Sequence, residues 1–169
     1  MNLDKDQMTY FLDTINDILK HPLVYQMDQY IQHGNVSCLS HSIAVAYYSY
    51  KTALSLPFKI DYDSLIRGAM LHDFFLYDWH DKNKSVKWHG FRHPKIALEN
   101  AQKHFNLNKK EKDIILRHMW PLTLIPPRYI ESMIVSAVDK SVSIIETFNL
   151  FNSKFFMINR KLAFRTAIE

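Results

Sequence analysis

DYDSLIRGAMLHD, residues 61–73, is the stretch on which the fold of this chain turns. Leu65, Ile66, Ala69, Met70 and Leu71 recur at helical spacing behind Asp61 and Asp63, residues of the type that caps a helix start. The pattern predicts an amphipathic helix that delivers an adjacent histidine and aspartate, His72 and Asp73, at its C-terminal end. Polar groups carried into a core need partners, and candidates stand on the neighbouring segments.

Upstream, SCLSHSIAVAYYSYKTALSL (37–56) predicts a helix that starts near Val36 or Ser37, ends before Pro57 and carries His41 among apolar residues. Before it, LDKDQMTYFLDTINDILK (3–20) is a first amphipathic helix, stopped by His21-Pro22, and His33-Gly34-Asn35 is a turn signal. Downstream, residues 74–90 have no clean period and read as a loop. HPKIALENAQKHF restarts a helix at His93 with Pro94 in its first turn, and KKEKDIILRHMW carries His118. After Pro121, Pro126 and Pro127, residues 128–148 form a long helix with Ile130, Met133, Ile134, Ala137, Val138 and Ile145 inward and Asp139 embedded among them. NSKFFMINRKLAFRTAIE (152–169) is again amphipathic. With only 3 glycines and 6 prolines to punctuate 169 residues, strands are disfavoured. The expectation is an all-α, single-domain bundle of about six to eight helices over residues 1–169.

Composition narrows the function classes. Apolar residues at 47% and charged residues at 22% describe a chain that folds by itself. The single Cys38 excludes an intramolecular disulfide and a thiolate zinc cluster, so a reducing cytoplasm is the expected location. No apolar run approaches a membrane span. The net charge of +4 is spread among 17 acids, which predicts a solvated surface and no specific nucleic-acid binding. The apolar terminal segment leaves a homodimer open.

His41, His72-Asp73, His118 and Asp139 each fall on a separate helical segment, and His93 begins another. A lone histidine on an apolar helix face is more often a satisfied core residue than a ligand, and His93 or His118 taken singly fit a helix start and a helix C-terminus. Together with buried aspartates, the set is explained by a shared cation. Mixed imidazole and carboxylate ligands suit iron, manganese, zinc, cobalt or nickel. Six ligands crowd one ion, whereas two divalent ions with Asp73 between them use all six.

The order His41, His72-Asp73, Asp139 on successive helices resembles the HD superfamily of metal-dependent phosphohydrolases, over about residues 33–143. The resemblance implies an all-α fold, a first metal on His41, His72, Asp73 and Asp139, and a second held through His93 and His118, as in binuclear members. It implies hydrolysis of a phosphate mono- or diester, with a small phosphorylated substrate such as a nucleotide. The alternatives are the di-iron oxygenase chemistry of some members and a non-catalytic nucleotide-binding sensor. Many members carry lysine or glutamate four residues after the histidine of the pair; here that position is Leu76. Asp73 and, from the following loop, Asp78, Asp81 and His89 are therefore the catalytic candidates. Arg92, His33 and Lys140 are the candidates for contacting substrate, Arg92 as a phosphate ligand. The loop's aromatics, Trp79 among them, read as packing or as a stacking wall for a flat group.

Overall fold

The structure is a computed structural model that describes residues 3–80 and 87–148. Seven α-helices make up most of the described residues: α1 (Lys5–Leu19), α2 (Pro22–Gln26), α3 (Cys38–Ala53), α4 (Tyr62–Leu71), α5 (His89–His104), α6 (Lys109–Arg117) and α7 (Ile130–Thr147). A hairpin of two very short strands, β1 (Ile31–His33) and β2 (Val36–Ser37), precedes α3. The terminal amphipathic stretch read at 152–169 lies outside the described residues. No helix among those described is long and apolar enough to cross a membrane.

Local chemistry sets the helix starts. Asp61 caps α4 by accepting from the Ser64 amide, Ser37 caps α3 through the Ser40 amide, and Asn108 with Glu111 forms a reciprocal capping box on α6. α3 packs against α4 and α7, while α6 packs against α4, α5 and α7. Phe11, Ile18, Ile43, Leu65, Ile66, Met70, Phe74 and Ile114 fill the common core. Gly68 lets α4 and α6 approach closely: a methyl group there would stand 2.6 Å from Ile114 Cδ1.

Three readings from sequence are corrected. The α5 helix begins at His89 rather than His93, which places Pro94 in its second turn. Residues 31–37 form a hairpin, turned at Gly34 with φ 56°, where the sequence reads only as a turn, because strands of two and three residues carry no period. The buried face of α7 is Glu131, Ser132, Ile134, Val135, Ser136, Asp139, Val142 and Glu146, whereas Met133 is 58% exposed. Apolar periodicity misplaces that face because five of these eight buried residues are polar, directed at groups on other segments and not at hydrocarbon.

Candidate metal centre

The buried carboxylates fall into two populations. Away from the middle of the bundle each has a cationic partner: Glu111 with Arg67 at 2.6 Å, Glu131 with Lys110 at 2.7 Å, and Asp113 with Arg117 at 2.8 Å. Asp73, Asp139 and Glu146 have neither lysine nor arginine among the described residues and face histidines instead. That contrast locates the site.

His72 and His118 are the C-cap residues of α4 and α6. Each turns its ring back on its own helix, so that Nδ1–H donates to a terminal carbonyl that lacks an amide partner: Ala69 O at 2.7 Å and Ile115 O at 2.8 Å. His93, in the second turn of α5, also donates from Nδ1 to a backbone carbonyl of its own helix, His89 O at 3.0 Å. His41, in the first turns of α3, donates through Nδ1 to Glu146 Oε2 at 2.7 Å. Four rings are thereby fixed in one tautomer, with four Nε2 lone pairs aimed inward.

Those lone pairs meet acceptors. His41 Nε2 lies 3.1 Å from Asp139 Oδ1, and His72 Nε2 lies 3.3 Å from Asp73 Oδ2 and 3.6 Å from Asp139 Oδ1. His93 Nε2 and His118 Nε2 stand 2.8 Å apart, at 3.2 Å and 3.6 Å from Asp73 Oδ1. Asp73 thus divides its carboxylate. Oδ2 faces His72, with His41 at 3.8 Å, while Oδ1 faces His93 and His118. All six side chains are buried.

Lone pair against lone pair at these distances is repulsive unless a proton or a metal ion intervenes. His72 Nε2 and Asp73 Oδ1 are buried without a hydrogen bond among the described residues. Two triads, His41–His72–Asp139 and His72–Asp73–His118, each bring their ligand atoms within 4.8 Å of one another. Ligands about 2.1 Å from one ion and at right angles stand about 3 Å apart, so the residues fit divalent cations.

Protons occupy this charge balance otherwise. Burial disfavours the charged form of His41, but Asp139 and Glu146 outweigh it and lift the ring to about 9. Burial likewise opposes ionisation of Asp73 and Asp139, yet His72 and His93 for the first, and His41 and His72 for the second, hold both well below the usual carboxylate range. His118 goes the other way, pushed down to about 3 by burial and by His93 and His72. It keeps a free lone pair.

Two residues in this arrangement are absent from the sequence reading. Glu146 orients His41 from behind; its signal is its position seven residues after Asp139, two helical turns along the same face. Gln32, from β1, donates Nε2–H to Asp73 Oδ2 at 2.6 Å and accepts from Cys38 Sγ at 3.2 Å. Nothing in the sequence marks it, since its role depends on the hairpin.

Over the cage lies a cleft of about 570 Å³ whose floor is Asp73, His93, His118 and Asp139. His33 and His89 also line it, with Gln32, Trp79, Met119, Leu122, Lys140 and Ile144. The His33 ring packs edge-on to His41 at 5.4 Å. Lys140 reaches the wall with its Nζ already engaged, donating to His118 O at 2.7 Å and to Ser136 O and Oγ at 3.0 Å. Asp78 is exposed and accepts from the His80 amide, away from the cleft lining, and Arg92 is likewise exposed outside it. Asp81 lies outside the described residues.

A model of the HD domain matches residues 38–142. Over 71 residues, 42% of this chain, the sequence is 34% identical to the Bacillus subtilis (strain 168) protein named "Putative phosphohydrolase YueE". That match covers 36% of the relative, so the chain spans about a third of its length. No solved structure matches. With a helical architecture, a His-Asp pair at the end of α4 and a family match over most of its length, this chain belongs to the HD domain family.

Proposed function

We propose that the chain is a metal-dependent hydrolase of phosphate mono- or diesters, using two divalent cations held in the cage. His41, His72, Asp139 and Asp73 Oδ2 would hold one, and His93, His118 and Asp73 Oδ1 the other. Bound there, such ions supply Lewis acidity toward water and toward phosphoryl oxygen. The single observation that carries this reading is the divided carboxylate of Asp73, with imidazole Nε2 atoms on each side.

The chain's own residues supply the rest. Nδ1 hydrogen bonds to Ala69, Ile115, His89 and Glu146 keep the four rings from rotating, so no ordering is required when substrate arrives. Gln32 orients Asp73 and caps its second lone pair. His89 accepts from Tyr77 Oη at Nδ1, 2.8 Å away, which leaves Nε2–H as a donor on the cleft wall. Burial and the neighbouring His93 push His89 down to about 4, so this donor is neutral at neutral pH. It stands where a hydrogen bond to a phosphoryl or leaving-group oxygen is useful, in a chain that has Leu76 at the usual helper position.

The test is a metal titration with phosphate release followed on a panel of mono- and diesters, nucleotides included. Release is expected with the wild type and absent in Asp73→Ala. A fully metal-loaded chain inert on the whole panel overturns the reading, and a stoichiometric di-iron content with oxygen consumption replaces it with an oxygenase.

A further inference from the structure

The cleft above the cage is several times larger than one phosphoryl group requires, and its wall differs in chemistry from its floor. Trp79 stacks on His89, ring centres 4.8 Å apart and 8° from parallel, and His89 stacks on His93 at 4.6 Å and 17°. His80 covers the other face of Trp79, ring centres 3.8 Å apart, so the edges of this stack run outward from the cage. Met119, Leu122 and Ile144 continue the wall, with Leu122 45% and Ile144 57% exposed. Left-handed backbone at two non-glycine residues, Leu76 (φ 53°) and Trp88 (φ 63°), flanks the segment that carries Trp79.

Charge is distributed the opposite way. Among the described lining residues Lys140 is the one lysine or arginine, and three carbonyl and hydroxyl oxygens already take its three N–H groups. An anionic group at the floor would meet the bound cations. A second or third phosphate along the wall would lose hydration against apolar side chains, with no free cation among the described lining residues to compensate.

Resting on the hydrolase reading, we propose that the cleft takes a phosphate ester with a single phosphoryl group at the cage and a flat, uncharged apolar group against the edge of Trp79 and the side chains of Leu122 and Ile144. Nucleoside triphosphates are the wrong shape of charge for it. Discrimination comes from the wall and not from the metal-ligand set.

Phosphonates, which are not hydrolysed, read the cleft independently of turnover. Calorimetry on the Mn²⁺-loaded chain is expected to show phenylphosphonate binding at least about tenfold more tightly than methylphosphonate, as burial of one ring against an apolar wall provides. The ratio between the two ligands is expected to fall toward one in Trp79→Ala and in Ile144→Asp, the latter at an exposed position where the fold tolerates the change. Equal affinities in the wild type, no binding of either phosphonate, or tighter binding of adenosine triphosphate than of phenylphosphonate would each overturn the proposal. Failure of the hydrolase reading has a different signature: the phosphonate preference is present, but phenyl phosphate releases no phosphate.

Discussion

Two carboxylates on one face of α7 hold opposite nitrogens of the same imidazole: Glu146 takes the Nδ1 proton of His41 and Asp139 faces its Nε2. The first contact makes the second possible, because a ring that donates from Nδ1 must present a lone pair at Nε2. Glu146→Gln keeps an acceptor but removes the charge that makes the ring a better base. We expect it to weaken metal binding about tenfold to a hundredfold, measured by competitive titration with a metal indicator. Unchanged metal affinity in a folded Glu146→Gln variant would mean that this carboxylate serves packing alone. Asp139 was visible in the sequence as an aspartate stranded among apolar residues; Glu146 was not, since near the end of a helix a glutamate reads as an ordinary solvated residue. Asp78 and Arg92 are the converse, chemically suitable residues that stand exposed outside the cleft lining.

At the scale of elements, the site depends on two helices ending at the same place. α4 and α6 stop at His72 and His118, whose rings lie 4.9 Å apart, and they come close enough because Gly68 carries no side chain against Ile114. Alanine at 68 gains roughly 1 kcal/mol in helix propensity and loses about 1–3 kcal/mol to overpacking. Ile114 Cδ1 at 2.6 Å can turn aside, but Ile114 Cβ and Cγ2 at 3.0 Å give way only if the helices part, so a net loss of about 1–2 kcal/mol is expected, read as a lower midpoint in urea. The separation of His72 from His118 should grow with it, and the stabilisation gained on adding metal should shrink. A Gly68→Ala chain with full metal stabilisation would show that the α4–α6 spacing is not what sets the cage.

For the whole molecule, protons and the proposed metal ions would compete for one buried excess of negative charge, that of Asp73, Asp139 and Glu146. In the metal-free chain His41 is lifted to about 9, against about 6.5 when unfolded. A raised histidine stabilises fully below the unfolded value, and that stabilisation is lost as pH rises through the folded one. The metal-free chain is therefore expected to lose on the order of 3 kcal/mol between pH 6.5 and 9. Asp73 and Asp139, held low, contribute above the ordinary carboxylate range and fail only in acid, below about pH 4. Metal binding displaces the histidine protons, so its affinity should rise over the same interval in which the metal-free chain weakens. Denaturant melts at pH 6.5 and 9, with metal and with chelator, measure both slopes. A metal-free chain equally stable at the two values would refute the protonated cage.

The sequence by itself determined the helical class and the identity of the six histidines and aspartates that meet in the cage, because both are written in local terms: apolar spacing, capping residues, and histidines or acids set where burial makes them costly. Only the tertiary structure decided how those groups face one another. The two-sided use of Asp73, the support from Gln32 and Glu146, the inward turn of the polar face of α7 and the engagement of Lys140 all arise between segments far apart in the chain. Periodicity records which residues leave water, whereas the direction of a lone pair depends on the hydrogen bond made behind it, and that partner comes from the fold.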